Sequence, residues 1–280
     1  MAGGTLDVGD VLSTTFRTMS KALVPILGCA LAVVIPTATI TFIVRVAVYL
    51  VIQNMDHATP DQAMMGALVA LPVYLVLIVT LLALQSVGQG GIVYSVAEQL
   101  SGRSPSLGQA FRVGLSRAFW VFLTSLLAFI AIMVGMMFCF APGVVAAIFL
   151  CVAAPVCIVE KLGPIASIQR SIALTEGNRL TIFLVFLAVV VGWFVIALCL
   201  IMPVQMLVVG GSAVLSGGGA AGVQAMQNPL SLGSILGEIV NIPVTLFGTM
   251  AGSTLVAVIY ARLRGLRDGV DAQAIASVFT

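Results

Sequence analysis

The chain has 280 residues, of which 61% are hydrophobic and 8% charged, with a mean hydropathy of +1.20. A water-soluble domain carries about a quarter charged residues, so this composition excludes one and points to a polytopic membrane protein. The formal net charge of +2 means little until each cation is placed, and no basic patch with interleaved aromatics suggests nucleic acid as a partner.

The first element is an amphipathic helix at about 5–20, in which Val8, Val11, Leu12, Phe16 and Met19 recur at helical spacing with Asp7, Asp10, Ser13, Thr14 and Arg17 between them. Asp7 and Asp10 precede the first basic residue, and the apolar run after Lys21 is longer than a signal-peptide core, so this segment is expected to stay in the mature protein. A first span follows at about 23–51, with Pro25 in its first turn and Pro36 as an expected kink. The next loop places His57 near Asp56 and Asp61. That is a weak signal for a divalent ion, and a solvated loop is the plainer reading. The second span is expected at about 67–87, after which Gly88, Gly90 and Gly91 mark a helix break or a close helix contact. A phosphate loop would need a strand before and a Lys-Ser/Thr after, and neither is present.

Ser104-Pro105-Ser106 offers a cap for a second amphipathic helix at about 104–118, leading into a third span at 119–140. Ala141-Pro142-Gly143 predicts a tight turn, and the fourth span, 144–159, ends at Glu160 and Lys161. Gly163-Pro164 opens a third amphipathic helix at 163–177, with Ile165, Ile168 and Ile172 on one side and Gln169 and Arg170 on others. Glu160 and Arg170 bracket this turn and are expected to pair. Gly177 is the expected stop, and Asn178 the expected cap of a fifth span at 180–209. An uncharged, glycine-rich stretch, 210–234, reads equally as a linker or a re-entrant segment, and a sixth span covers 234–261. The fold class is therefore all-α: one transmembrane domain over 1–280, a bundle of six spans with three surface helices, each ahead of a pair of spans.

Assigning loops to alternate sides puts eleven of the twelve basic residues on one side, with Arg45 inside the first span. By the positive-inside rule both termini are cytoplasmic. Arg17, Arg112, Arg117, Arg170 and Arg179, on or beside the surface helices, suit anionic lipid headgroups.

In the sixth span Glu238, Asn241, Thr245, Gly248 and Gly252 recur at steps of three and four, which aligns them on one face. An unpaired carboxylate in hydrocarbon costs several kcal/mol, so this face calls for a partner helix. Arg45 lies 24 residues after Lys21 and Glu238 lies 24 residues before Arg262. At the helical rise per residue both sit about 36 Å from the basic side. Thr41 and Thr37 match Asn241 and Thr245 in depth, so the first and sixth spans are expected to pack together with Arg45 against Glu238. The alternative has Arg45 reaching the outer headgroups and Glu238 capping its own helix. Gly248 and Gly252 are expected to serve helix packing, within the chain or between two copies.

All five cysteines lie in apolar runs without a C-x-x-C pair and read as core residues. No nucleophile elbow, zinc-protease motif or soluble segment of catalytic length occurs, which points away from an enzyme, a cofactor or a resident metal. The expected role is a membrane scaffold or partner subunit that engages lipids, a second membrane protein or another copy. The alternative is a small transporter with a path between the first and sixth spans.

One further set of residues bears on family. Val159-Glu160-Lys161, Gly163-Pro164-Ile165, Arg170-Ser171, Leu174-Thr175 and Gly177-Asn178-Arg179, with Leu6-Asp7-Val8-Gly9-Asp10-Val11-Leu12 near the N-terminus and Gly102-Arg103 before the second amphipathic helix, form a pattern that resembles the membrane domain of the bacterial glycerophosphoryl diester phosphodiesterase family. The resemblance covers nearly the whole chain. It implies the six-span module in a bacterial inner membrane, and not the activity. That family's chemistry belongs to a soluble barrel with histidines and acidic metal ligands, for which His57 alone does not suffice.

Overall fold

A computed structural model describes residues 6–55, 60–215, 217 and 228–269. The environment of His57 and part of the glycine-rich stretch lie outside these residues. Those described form an all-helical fold with six helices long and apolar enough to cross a membrane. Their contacts divide into two compact units. The larger takes the described residues within 1–33, 82–189 and 247–280; the smaller takes those within 34–81 and 190–246.

α1 (Val8–Lys21) starts because the Asp7 carboxylate accepts from the Asp10 amide at 3.0 Å, a side-chain cap on the first turn. Its buried stripe is Val11, Thr15 and Thr18. α2 (Leu23–Met55) continues through Pro36, and hydroxyls one turn along bond back to their own helix: Thr39 Oγ1 donates to the Ile35 carbonyl at 2.9 Å and Thr41 Oγ1 to the Thr37 carbonyl at 2.8 Å. Such back-bonding satisfies a hydroxyl where water is scarce.

α3 (Pro60–Leu100) also runs unbroken, so the glycines at 88–91 do not interrupt it. They are contact residues. A Cβ on Gly90 would stand 2.6 Å from the Gly114 Cα, and one on Gly88 would stand 2.5 Å from Val33 Cγ2. Gly90 lets two backbones approach, and Gly88 makes room for the Val33 side chain.

α4 (Leu107–Phe138), capped by Ser106, is one helix where an amphipathic helix and a separate span were expected. No Gly or Pro stands near 118–119 to end the first segment. The reversal falls at Cys139, whose extended backbone separates α4 from α5 (Phe140–Leu150). Ala141-Pro142-Gly143 is therefore not the turn; it lies in the first turn of α5, where proline's missing N–H costs nothing. The fourth span is two pieces, α5 and α6 (Ala153–Val159). The break is a turn at Cys151 and Val152, and Pro155 falls in the first turn of α6, where its missing N–H costs nothing.

Lys161, with φ of 54°, turns the chain into α7 (Pro164–Thr175). Gly163 and Pro164 occupy the cap and first positions of this helix. Ser171 Oγ donates to the Phe149 carbonyl at 2.7 Å, tying α7 to the end of α5. Gly177, with φ of 85°, allows the next reversal. α8 (Arg179–Ile196) passes through π-helical turns at Ala197–Ile201 and Met206–Gly210, which flank α9 (Met202–Gln205) and lead to α10 (Gly211–Leu215). The last helix, α11 (Leu232–Asp268), contains Pro243 and extends well beyond the expected limit at 261.

Candidate functional site

The final turns of α11 gather the charges of the larger unit. Tyr260, Arg264, Arg267 and Asp268 recur at helical spacing and so share a stripe. Arg170 Nε donates to the two oxygens of Glu160 at 3.0 and 3.3 Å, and its Nη2 donates to Asp268. Tyr260 donates to Glu160 Oε1 at 3.2 Å and accepts from Arg264 Nη1 at 3.1 Å. Arg264 Nε lies 4.0 Å from a carboxylate oxygen of both Glu160 and Asp268. Two carboxylates thus face two guanidinium groups around one phenol, a charge-balanced clasp in which each charge has an opposite neighbour. Burial works against the charge on Arg170, but the fields and hydrogen bonds of Glu160 and Asp268 outweigh it and raise its pKa above the ordinary arginine value.

Two outer ties widen the clasp. Arg262 Nη2 lies 2.9 Å from Asp10 and donates to Thr14 Oγ1 at 3.2 Å, while Arg267 Nη2 lies 3.4 Å from Glu176. The Leu6 amide donates to Asn178 Oδ1 at 3.2 Å. The side chain of Asn178 therefore holds the N-terminal segment, and the cap of α8 falls to its backbone carbonyl, which accepts from Ile182. The end of α11 binds α1 on one side and the α6–α7 turn on the other. Beside Tyr260 is a hollow lined by Val93, Val96, Ala97, Leu100 and Val159 with room of about 10 Å³. That is about the size of one water and far below the several hundred Å³ of a ligand pocket.

In the smaller unit Arg45 Nη1 stands 3.1 Å from Glu238 Oε2, with the arginine side chain 63% exposed and the glutamate 19%. Thr41 donates to its own helix, to the Thr37 and Ala38 carbonyls, and not to a partner helix. Asn241 is half-buried and Thr245 exposed. Gln205, between the two π turns, comes within 3.6 Å of where a Cβ on Gly237 would sit, one residue from Glu238.

The glycine pair expected to pack does not do so inside the chain at Gly252: a Cβ there would meet nothing within 4 Å. Close approaches are made instead by other glycines, among them Gly88, Gly90, Gly91 and Gly114 in the larger unit. The five arginines assigned to headgroups also divide. Arg17 and Arg112 are exposed and Arg117 is half-buried, and none of the three guanidinium groups has a partner among the described residues. Arg170 is held in the clasp, and the Arg179 guanidinium lies over the Phe149 ring, 4.0 Å from its centre. These two are engaged within the chain.

α1, the start of α4 and α7 share one plan. Each buries a stripe of mostly small or hydroxyl residues: Val11, Thr15 and Thr18; Ala110 and Gly114; Ser167, Ser171 and Leu174. Beside it lie open apolar residues, with Phe16 in α1 next to half-buried Leu12 and Met19, Leu107, Phe111 and Leu115 in α4, and Ile165 and Ile172 in α7. The remaining face is polar. Sequence reading missed Asp268, Tyr260 and Arg264, although their i, i+4, i+8 spacing at the end of the last helix was a readable sign.

No protein-family model, curated protein or solved structure matches the chain.

Proposed function

We propose that this is a non-enzymatic, multi-pass membrane protein that acts as a scaffold or partner subunit of a membrane complex and engages lipid at its basic face. The clasp carries the reading: the charges of Glu160, Arg170, Arg264 and Asp268 fasten helices to one another, as in a rigid body that others assemble on. Both termini lie in the cytoplasm of a bacterial cell and the chain crosses the inner membrane. The basic bias of the loops supports this, as do the ties that bring α1, α7 and the end of α11 together. α1 and α7 are interfacial helices, and the start of α4 is the end of a spanning helix at the same surface, roles that their three distinct faces suit. The order of elements also supports a six-span module like the membrane domain of the glycerophosphoryl diester phosphodiesterase family, without its catalytic part.

Extraction into native lipid discs followed by mass spectrometry tests the role. A protein or a defined lipid recovered in fixed ratio is the expected result; a monomer carrying only bulk lipid would overturn it. A transport path in the smaller unit is the second reading, favoured by Gln205 between two π turns beside the Arg45–Glu238 pair, since π turns often mark functional sites. Solute flux through proteoliposomes that Arg45→Ala alters would bring that reading forward.

A further inference from the structure

We infer that the larger unit binds anionic phospholipid through α1 and the start of α4, and not through α7. This rests on the lipid-engaging reading above and sharpens it to two of the three surface helices. All three offer an open apolar stripe, but their cations differ. α1 presents Arg17 and Lys21, both exposed, and α4 presents Arg112 exposed and Arg117 half-buried, without an internal partner for any of the four among the described residues. The one cation on α7, Arg170, hydrogen-bonds two carboxylates of its own chain.

A headgroup phosphate needs a cation at the edge of the apolar stripe, where acyl chain and headgroup meet. α1 and α4 have that edge, and α7 has only the apolar part. Lipid is favoured over a partner protein by continuity. The stripe Leu107, Phe111 and Leu115 runs on at the same spacing to Phe119, 67% exposed, within a helix long and apolar enough to cross the bilayer, where acyl chains are the surroundings.

The chain's two tryptophans supply the test. Trp193→Phe leaves Trp120, one turn beyond Arg117, as a native reporter on α4. Phe16→Trp and Ile172→Trp, each in a Trp120→Phe, Trp193→Phe background, report on α1 and α7 at positions already exposed. The full chain is reconstituted in vesicles of phosphatidylcholine and phosphatidylglycerol with one or the other lipid brominated, and quenching yields the relative association of the two lipids at each reporter. Phosphatidylglycerol is expected to be preferred several-fold at positions 16 and 120, up to about 30-fold for two cations near the surface, and not at 172. The preference at Trp120 should fall to about one in Arg112→Gln, Arg117→Gln, with the preference at position 16 retained as evidence of a folded chain.

Equal preference at all three positions would overturn the assignment. So would a ratio of one at 16 and 120, or a preference at 120 that survives loss of both arginines. Failure of both brominated lipids to quench positions 16 and 120 would show the stripes covered by protein and would also overturn it. None of these results touches the scaffold role, which the disc experiment decides separately.

Discussion

Replacing Arg170 by Ala removes the side chain that hydrogen-bonds both carboxylates of the clasp. Each charge-assisted bond is worth about 1.5–3 kcal/mol when buried. The Arg170 side chain is 29% exposed, with Glu160 13% and Asp268 25% exposed, so about half of the summed value is a fair discount for solvent. Two such partners sum to about 3–6 kcal/mol, so the expected loss is about 1.5–3 kcal/mol. It stays below the larger cost of an abandoned buried charge because Tyr260 still donates to Glu160 and Arg264 remains near both acids. Arg170→Lys keeps the charge but not the planar fork that reaches two partners, and should lose about half as much. Equilibrium unfolding in detergent micelles measures both, and a double-mutant cycle with Asp268→Asn should show coupling of at least about 1 kcal/mol. A midpoint for Arg170→Ala equal to that of the parent, or strict additivity in the cycle, would refute the clasp as a source of stability.

The Arg45–Glu238 pair should couple more weakly, by about 1 kcal/mol or less, because its arginine is mostly exposed; a cycle of the two alanine variants on unfolding free energy reads this, and a coupling as large as that of the clasp would contradict the exposure argument. Gly90→Ala should cost about 1–3 kcal/mol, since its Cβ would meet the Gly114 backbone. Gly252→Ala should be neutral or stabilising by up to about 1 kcal/mol through helix propensity, and the order of the two midpoints checks the packing assignment. Cys139, exposed between α4 and α5, should react with a membrane-impermeant maleimide from the side opposite both termini. Labelling from the same side as a C-terminal tag would reverse the proposed topology.

The reading of Arg45 with Glu238 came from counting, because a helix rises by a constant amount per residue and depth follows from position alone. The structure has the two groups 3.1 Å apart. Glu160 with Arg170 was legible for another reason: the two lie close in sequence across one turn. The rest of the clasp joins residues far apart in the chain, as in Arg170 with Asp268 and Arg262 with Asp10. Nothing local links them, and which charge of the last helix meets which loop depends on how the helices rotate against one another.

Composition and the placement of charge determined the class of the protein and its six apolar helices, because transfer of apolar surface and of cations into a bilayer is an additive property of the residues themselves. Element boundaries were only partly so determined. The glycines at 88–91 read as a break or a contact, and only the approach of Val33, Cys29 and Gly114 makes them contacts. Likewise, five surface arginines were equivalent in sequence, and tertiary structure separated them by supplying Glu160, Asp268 and Phe149 to two and leaving Arg17, Arg112 and Arg117 without a partner among the described residues. A cation's availability depends on its neighbours in space, which local sequence does not encode.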